Sequence, residues 1–215
     1  MAEYGVAFSD LVLGLVCLVC AKHASVGTRA GLFVSKLFGV SSDISPEVQL
    51  ISFAFFAIAC NAFAGVLRFG MSRRNDLVYQ VHGLLTAFSS SVSVPYLFLS
   101  QILPLYRSPS PVEVFATLTV LFFATRFLKA SVQHTYTQVL QVCLVSALVY
   151  LLYTNFIIAT NMPLVVAIIF FILAVVAREN VTAFHYLFAI SMYFFEAGRT
   201  NDLFNPMVLP FGRLF

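Results

Sequence analysis

Long apolar runs alternate with short polar breaks along the chain, at 6–24, 48–67, 77–103, 112–128, 137–158, 163–177 and 181–198. About 20 apolar residues cover the hydrocarbon core of a bilayer, so each run is long enough, or nearly so, to cross one. A segment in lipid must satisfy its own backbone hydrogen bonds, and these runs are too uniformly apolar for barrel strands with a polar lumen face. The pattern predicts an all-α fold: a polytopic membrane helical bundle of about seven transmembrane helices forming a single domain over 1–215.

The connections are too small to hold a soluble domain, which puts any site within the bundle or at its rim. In the longest connection, residues 29–40 alternate Leu, Phe and Val with Arg29 and Lys36 as an interfacial helix would. The tail after Arg199 holds Asn205-Pro206 and Leu209-Pro210, which exclude a regular helix there. The first run is read as a retained span: Glu3 without Lys or Arg precedes it and Asp10 interrupts its start, unlike a cleaved signal peptide. The sequon Asn180-Val181-Thr182 sits in a tight turn against two spans and is expected to stay unmodified.

Small and polar residues recur at steps of three and four, so they stack on one helical side. The first span carries Asp10, Gly14, Cys17, Ala21 and Ala24; the second carries Ala54, Ala57, Asn61, Ala64 and Arg68. The third carries Tyr79, His82, Thr86, Ser89 and Ser93, and the seventh Thr182, His185, Ala189, Met192, Glu196 and Arg199. Small residues allow close helix approach and polar ones avoid lipid, so these four spans should form an inner bundle. The expected polar interior comprises Asn61, Arg68, Thr86, Ser89 and Glu196. Phe55, Phe56 and Phe63 lie off the stripe of the second span, as lipid-facing residues would. The fifth span offers His134, Gln138 and Gln141 to the bundle, whereas the sixth, almost wholly apolar, reads as peripheral. Pro95 should kink the third span below its serines.

Alternating direction then brings Asp10, Asn61, Arg68, His82, Arg126, His134 and His185 near one membrane face, the one bearing the N-terminus. Asp10 and Arg68 read first as an ion pair that neutralises two costly charges. His82 and His185 read as hydrogen-bonded bundle residues, since neither helix offers an adjacent metal-ligand spacing. Ser89-Ser90-Ser91 lacks a nucleophile-elbow context and reads as a packing patch. Glu196 and Arg199, near the opposite face, should satisfy each other or a headgroup.

Composition adds little beyond location. Hydrophobic residues make up 60% of the 215 and charged ones 10%, with a mean hydropathy of +0.94, outside the range of soluble domains. The net charge of +3 is too small and scattered for nucleic acid, and the 12 Lys and Arg divide evenly between the two sides, leaving orientation open. Cys17, Cys20, Cys60 and Cys143 all fall within spans and read as packing residues; Cys20 is also a candidate for palmitoylation.

Seven spans with buried His, Asp and Ser resemble the superfamily of alkaline ceramidases and progestin/adiponectin-type receptors. That resemblance implies a histidine-held zinc, but the His-x-x-x-His pair of the family's last span is missing: Ala189 follows His185 by four. Metal hydrolysis would then draw on Asp10, His82 and His185 from three helices. The run Ser9-Asp10-Leu11-Val12-Leu13-Gly14, the short loops and the Thr154-Asn155 to Arg199 ending are similar to the small multi-pass family that includes transmembrane protein 276. That resemblance implies a multi-pass membrane protein and carries over no catalytic residue. The sequence therefore favours a non-enzymatic bundle that binds membrane lipids or a small polar ligand, or that partners another protein subunit. The alternatives are a zinc-dependent intramembrane lipid hydrolase using Asp10, His82 and His185, and an ion- or proton-coupled transporter.

Overall fold

The computed structural model of the chain describes residues 3–26, 46–72, 75–103, 109–128, 130–158 and 161–200. The expected interfacial segment 29–40, the Arg73-Arg74 pair and the proline-containing tail lie outside the described residues. Among the described residues seven helices follow one another: α1 Tyr4–Val26, α2 Pro46–Gly70, α3 Asp76–Ser100, α4 Pro111–Arg126, α5 Ala130–Tyr153 with a π-helical end Thr154–Ile158, α6 Met162–Val176 and α7 Val181–Thr200. They match the seven apolar runs to within a few residues, except that α5 begins at Ala130, before the run that marks it. No strand occurs among the described residues, and the fold is an all-α helical bundle.

Four helical stretches, Tyr4–Ala24, Pro46–Gly70, Asp76–Ser100 and Val132–Ile158, are long and apolar enough to cross a membrane. α6 is apolar but shorter. α4 is a 16-residue helix, and α7 is 20 residues long but carries His185, Glu196 and Arg199.

Local chemistry sets the helix starts. Asn75 accepts from the Leu77 and Val78 amides at the start of α3, and Asn161 accepts from the Leu164 amide at that of α6. α4 opens on a capping box: the Glu113 amide donates to Ser110 Oγ while the Ser110 amide donates to Glu113 Oε2, with Pro111 in the first turn. Asn180 of the sequon turns its side-chain oxygen to the Ala183 amide and caps α7.

α1 is the centre of the bundle, packed along α2 on one side and α7 on the other. Its stripe of Asp10, Gly14, Cys17, Ala21 and Ala24 is buried throughout, as its periodicity predicts. Small residues let the backbones close in: a Cβ on Gly14 would stand 3.1 Å from the Phe63 ring of α2. Ser52 Oγ of α2 donates to the Ala21 carbonyl at 2.7 Å, and Cys20 Sγ of α1 to the Met192 carbonyl of α7 at 3.6 Å. Cys17 and Cys20 are both fully buried packing residues, so the Cys20 thiol is not presented for acylation.

Three expectations are corrected by this packing. Phe55 does not face outward; it is fully buried with its ring against Phe195 of α7, because α2 buries a broad face that includes Ile51, Phe55, Ile58 and Ala62. α6 is not peripheral. Leu164, Ala167, Ile168, Phe171 and Ala174 are buried, Ser191 Oγ of α7 donates to the Ala167 carbonyl at 2.8 Å, and Asn161 Nδ2 donates to the Gly198 carbonyl at 2.8 Å. A helix that is apolar all round carries no polar mark of which side it buries. The outer positions belong to α4 and α5 instead, and His134, Gln138 and Gln141 of α5 stay exposed rather than joining the inner bundle.

In α3 the irregularity lies just before Pro95. Ser89–Ser93 forms a π turn in which the Val94 amide reaches back to the Ser89 carbonyl, and Pro95 then opens the regular stretch Val94–Ser100. Such an inserted turn rephases the side chains on either side of it and takes up the disturbance of the proline ring.

The tightest helix approach yields a prediction. A Cβ on Gly198 would lie 2.7 Å from the Leu164 backbone nitrogen, an atom held by the Asn161 cap, whereas a Cβ on Gly83 meets nothing within 4 Å. Gly198→Ala should therefore destabilise the bundle by about 1–3 kcal/mol through overpacking. Gly83→Ala should cost nothing measurable, and thermal unfolding of both variants in detergent checks the contrast.

Candidate functional site

Four of the seven polar residues expected at the N-terminal end of the bundle come together as two side-chain pairs, while Arg126 and His134 are exposed and Asn61 meets Thr86. Near the start of α1, Asp10 is only 2% exposed, and its Oδ1 lies 3.3 Å from His185 Nδ1 on α7. At the end of α2, Arg68 Nη1 lies 2.9 Å from His82 Nδ1 on α3. The pairs are not independent: Arg68 is within electrostatic range of Asp10, and His82 of His185. The anticipated convergence of Asp10, Arg68, His82 and His185 is thus found, with one change of partner. Asp10 takes His185 as its contact, and Arg68 takes His82.

Donor and acceptor chemistry fixes what each ring does. A guanidinium can only donate, so His82 Nδ1 must accept from Arg68 and its ring proton sits on Nε2. The Arg68 guanidinium also stacks over the Tyr79 ring at 4.3 Å and the Phe69 ring at 4.8 Å. With Asp10 ionised, the His185 Nδ1 that faces its carboxylate carries the proton, the opposite tautomer from His82. The same Nδ1 is 3.1 Å from Ser9 Oγ, whose own proton goes to the Val6 carbonyl at 2.8 Å.

Ser9, His185 and Asp10 therefore hold the residue types of a nucleophilic triad without its geometry. In a working relay the carboxylate and the serine address opposite ring nitrogens, so that one orients the ring while the other surrenders a proton. Here both oxygens address Nδ1, so a ring protonated there toward Asp10 cannot also take the Ser9 proton, which goes to the Val6 carbonyl. The three metal candidates are also kept apart in role: Asp10 and His185 touch, but the Nδ1 of His82 is occupied by Arg68. Among the described residues no three His, Cys, Asp or Glu side chains are grouped so as to hold a metal ion.

Among the described residues Asp10 Oδ2 has no hydrogen-bond partner, and it is buried against Gly65 of α2, where an added Cβ would come within 2.7 Å of the carboxyl carbon. Gly65 makes room for the carboxylate between the two helices. Sequence reasoning passed over it, although it falls four residues after Asn61 and three before Arg68 and so continues that stripe. Ser9 was likewise unmarked, being adjacent to Asp10 rather than a helical turn away.

The remaining interior candidates divide. Ser89 is buried, and among the described residues its hydroxyl has no hydrogen-bond partner, nor have those of Ser93 and Tyr96 further along α3. Asn61 is half-buried, and its side-chain oxygen lies 2.8 Å from Thr86 Oγ1. Thr86 itself is exposed rather than interior; its hydroxyl folds back onto the His82 carbonyl at 2.8 Å, which leaves the rest of the side chain outside. Glu196 is fully buried near the other end of α7, gripped by Arg199 through Nε at 2.8 Å and Nη2 at 2.6 Å. His23 of α1 completes that cluster with Nδ1 2.9 Å from Glu196 Oε1. The sequence stripes missed His23, which lies two residues beyond Ala21 and off the small-residue face.

No family model, curated protein or solved structure matches the chain.

A double-mutant cycle on Asp10→Asn and His185→Gln should show a coupling of about 0.5–3 kcal/mol, the range for residues in direct contact. The cycle pairing Asp10→Asn with His23→Gln, at the far end of the same helix, should be additive to within about 0.5 kcal/mol.

Proposed function

We propose that the chain is a multi-pass integral membrane protein whose seven helices cross the bilayer, and that its polar level near the N-terminal end binds a lipid or small polar ligand without catalysis. The observation that carries the reading is the use made of the ionisable side chains. Asp10, His185, Arg68 and His82 are spent on one another across four helices, in a bundle whose core is otherwise mainly apolar apart from buried hydroxyls and the Glu196 cluster at the other end. Charged groups in such surroundings are expensive and mark ligand or ion sites. A hydrolase would need a free base beside a nucleophile or an open metal set, and the contacts of Ser9 and His82 supply neither.

Two further roles have specific support. The exposed His134, Gln138 and Gln141 of α5 fit a membrane partner subunit, since amides on an outer helix face favour hydrogen bonding to another helix. The buried, unpartnered Asp10 Oδ2 fits proton coupling in a transporter. A pH gradient driving solute uptake in proteoliposomes, abolished by Asp10→Asn, would select that reading.

The direct test is isolation of the protein from alkali-washed membranes, followed by unbiased lipid and metal analysis. Expected are retention in the membrane pellet, a stoichiometric bound small molecule and no lipid hydrolysis. Hydrolysis lost in a well-folded His82→Ala or His185→Ala variant would overturn the proposal.

A further inference from the structure

The end of α2 and the start of α3 enclose a polar cavity of 390 Å³, lined among others by Glu3, Arg68, Phe69, Ser72, Asn75 and Tyr79. It lies beside the Arg68–His82 pair but outside the Asp10–His185 contact, at the helix ends, where lipid headgroups meet a membrane protein. Among the described residues two opposite charges face this one space. Arg68 lines it from α2, and Glu3 lines it from the start of the chain, which is pinned in place by the Glu3 amide donating to the Phe69 carbonyl at 2.8 Å. Among the described residues neither side chain has an ion-pair partner, and the two do not pair with each other.

The guanidinium is held ready for a ligand. Its face is covered by Tyr79 and Phe69, and one N–H is spent on His82, which leaves the other N–H groups in the plane of the fork for an acceptor in the cavity. That edge suits the oxygens of a phosphate. Of the described lining, Glu3 favours a guest that also carries a cation, because a purely anionic one would meet its carboxylate across the same space. A guest carrying both a phosphate and a cation satisfies both walls.

We propose that this cavity binds a zwitterionic phosphodiester, an aminoalkyl phosphate with its phosphate on Arg68 and its ammonium on Glu3. This rests on the reading of the bundle as a ligand-binding membrane protein and names the class of ligand and its contacts. The same chemistry is offered by a phospholipid headgroup and by a free glycerophosphodiester, and the test separates them.

The full chain, purified in detergent, is titrated with short-chain phosphatidylethanolamine, short-chain phosphatidylglycerol and soluble glycerophosphoethanolamine, with the unfolding midpoint as readout. The wild type should bind phosphatidylethanolamine more tightly than phosphatidylglycerol. Arg68→Gln should weaken that binding roughly tenfold, the scale of one charge-assisted hydrogen bond. Glu3→Gln, on an exposed residue where folding is not at stake, should remove the preference for the zwitterion. Equal affinity for glycerophosphoethanolamine would assign the site to a soluble phosphodiester, and much weaker affinity to the lipid; both agree with the proposal. If folded Arg68→Gln and Glu3→Gln bind phosphatidylethanolamine as the wild type does, this site is wrong while the ligand-binding reading stands. If the wild type binds none of the three, this site falls, and the ligand-binding reading is then decided by whether the isolated protein carries a stoichiometric small molecule.

Discussion

Everything in this bundle is organised around the contact of α1 with α7, which is closed at both ends by a histidine on a carboxylate. At one end Asp10 of α1 meets His185 of α7; at the other, His23 of α1 meets Glu196 of α7. The two contacts are roughly 17–20 Å apart along the helices at 1.5 Å per residue, and they require α1 and α7 to run in the same direction. A parallel first and seventh helix is what alternating crossings produce. The roles are exchanged between the ends, carboxylate on α1 at one and on α7 at the other, so sliding or reversing either helix would strand four ionisable groups in an apolar interior.

That clamp sets the terms for its neighbours. Because Asp10 is buried between α1, α7 and α2, the facing position on α2 has to be Gly65, and the close approach this allows carries Arg68 to His82 on α3. On the other side, Gly198 lets α6 lie against α7, and Asn161 caps α6 while binding the Gly198 carbonyl. Among the described residues, α4 and α5 pack on the centre chiefly through aromatic and aliphatic side chains, as where Phe53 of α2 meets Phe115 of α4. The layered result is an inner sheet of helices in the order α6, α7, α1, α2 and α3, with α4 and α5 outside.

Much of this was legible in the sequence, for a physical reason. Small and polar residues can recur every three or four positions in an apolar helix only where the helix is covered, so the stripes of α1 and α7 mark their buried faces and Asp10, His185 and Glu196 lie on them. Where one face is covered without polar residues, the signal fails: α6 looked lipid-facing, and Phe55 looked outward because size was read as exposure. Partner choice was also out of reach. Periodicity places Asp10, Arg68, His82 and His185 at one level, but it does not say which touches which, since that depends on helix rotation and on a gap such as the one at Gly65. His23 was missed because it lies off its stripe and gains meaning only from Glu196 on a distant segment.

The central claim is that α1 is held to α7 by paired histidine and carboxylate contacts that specify a parallel arrangement. The most direct measurement is the stability of the exchange variant Asp10→His with His185→Asp, compared with each single substitution by unfolding in detergent. The account predicts that each single change is destabilising, since it sets like groups against each other, and that the exchange recovers most of the loss. An exchange variant as unstable as the sum of the two single changes would contradict it.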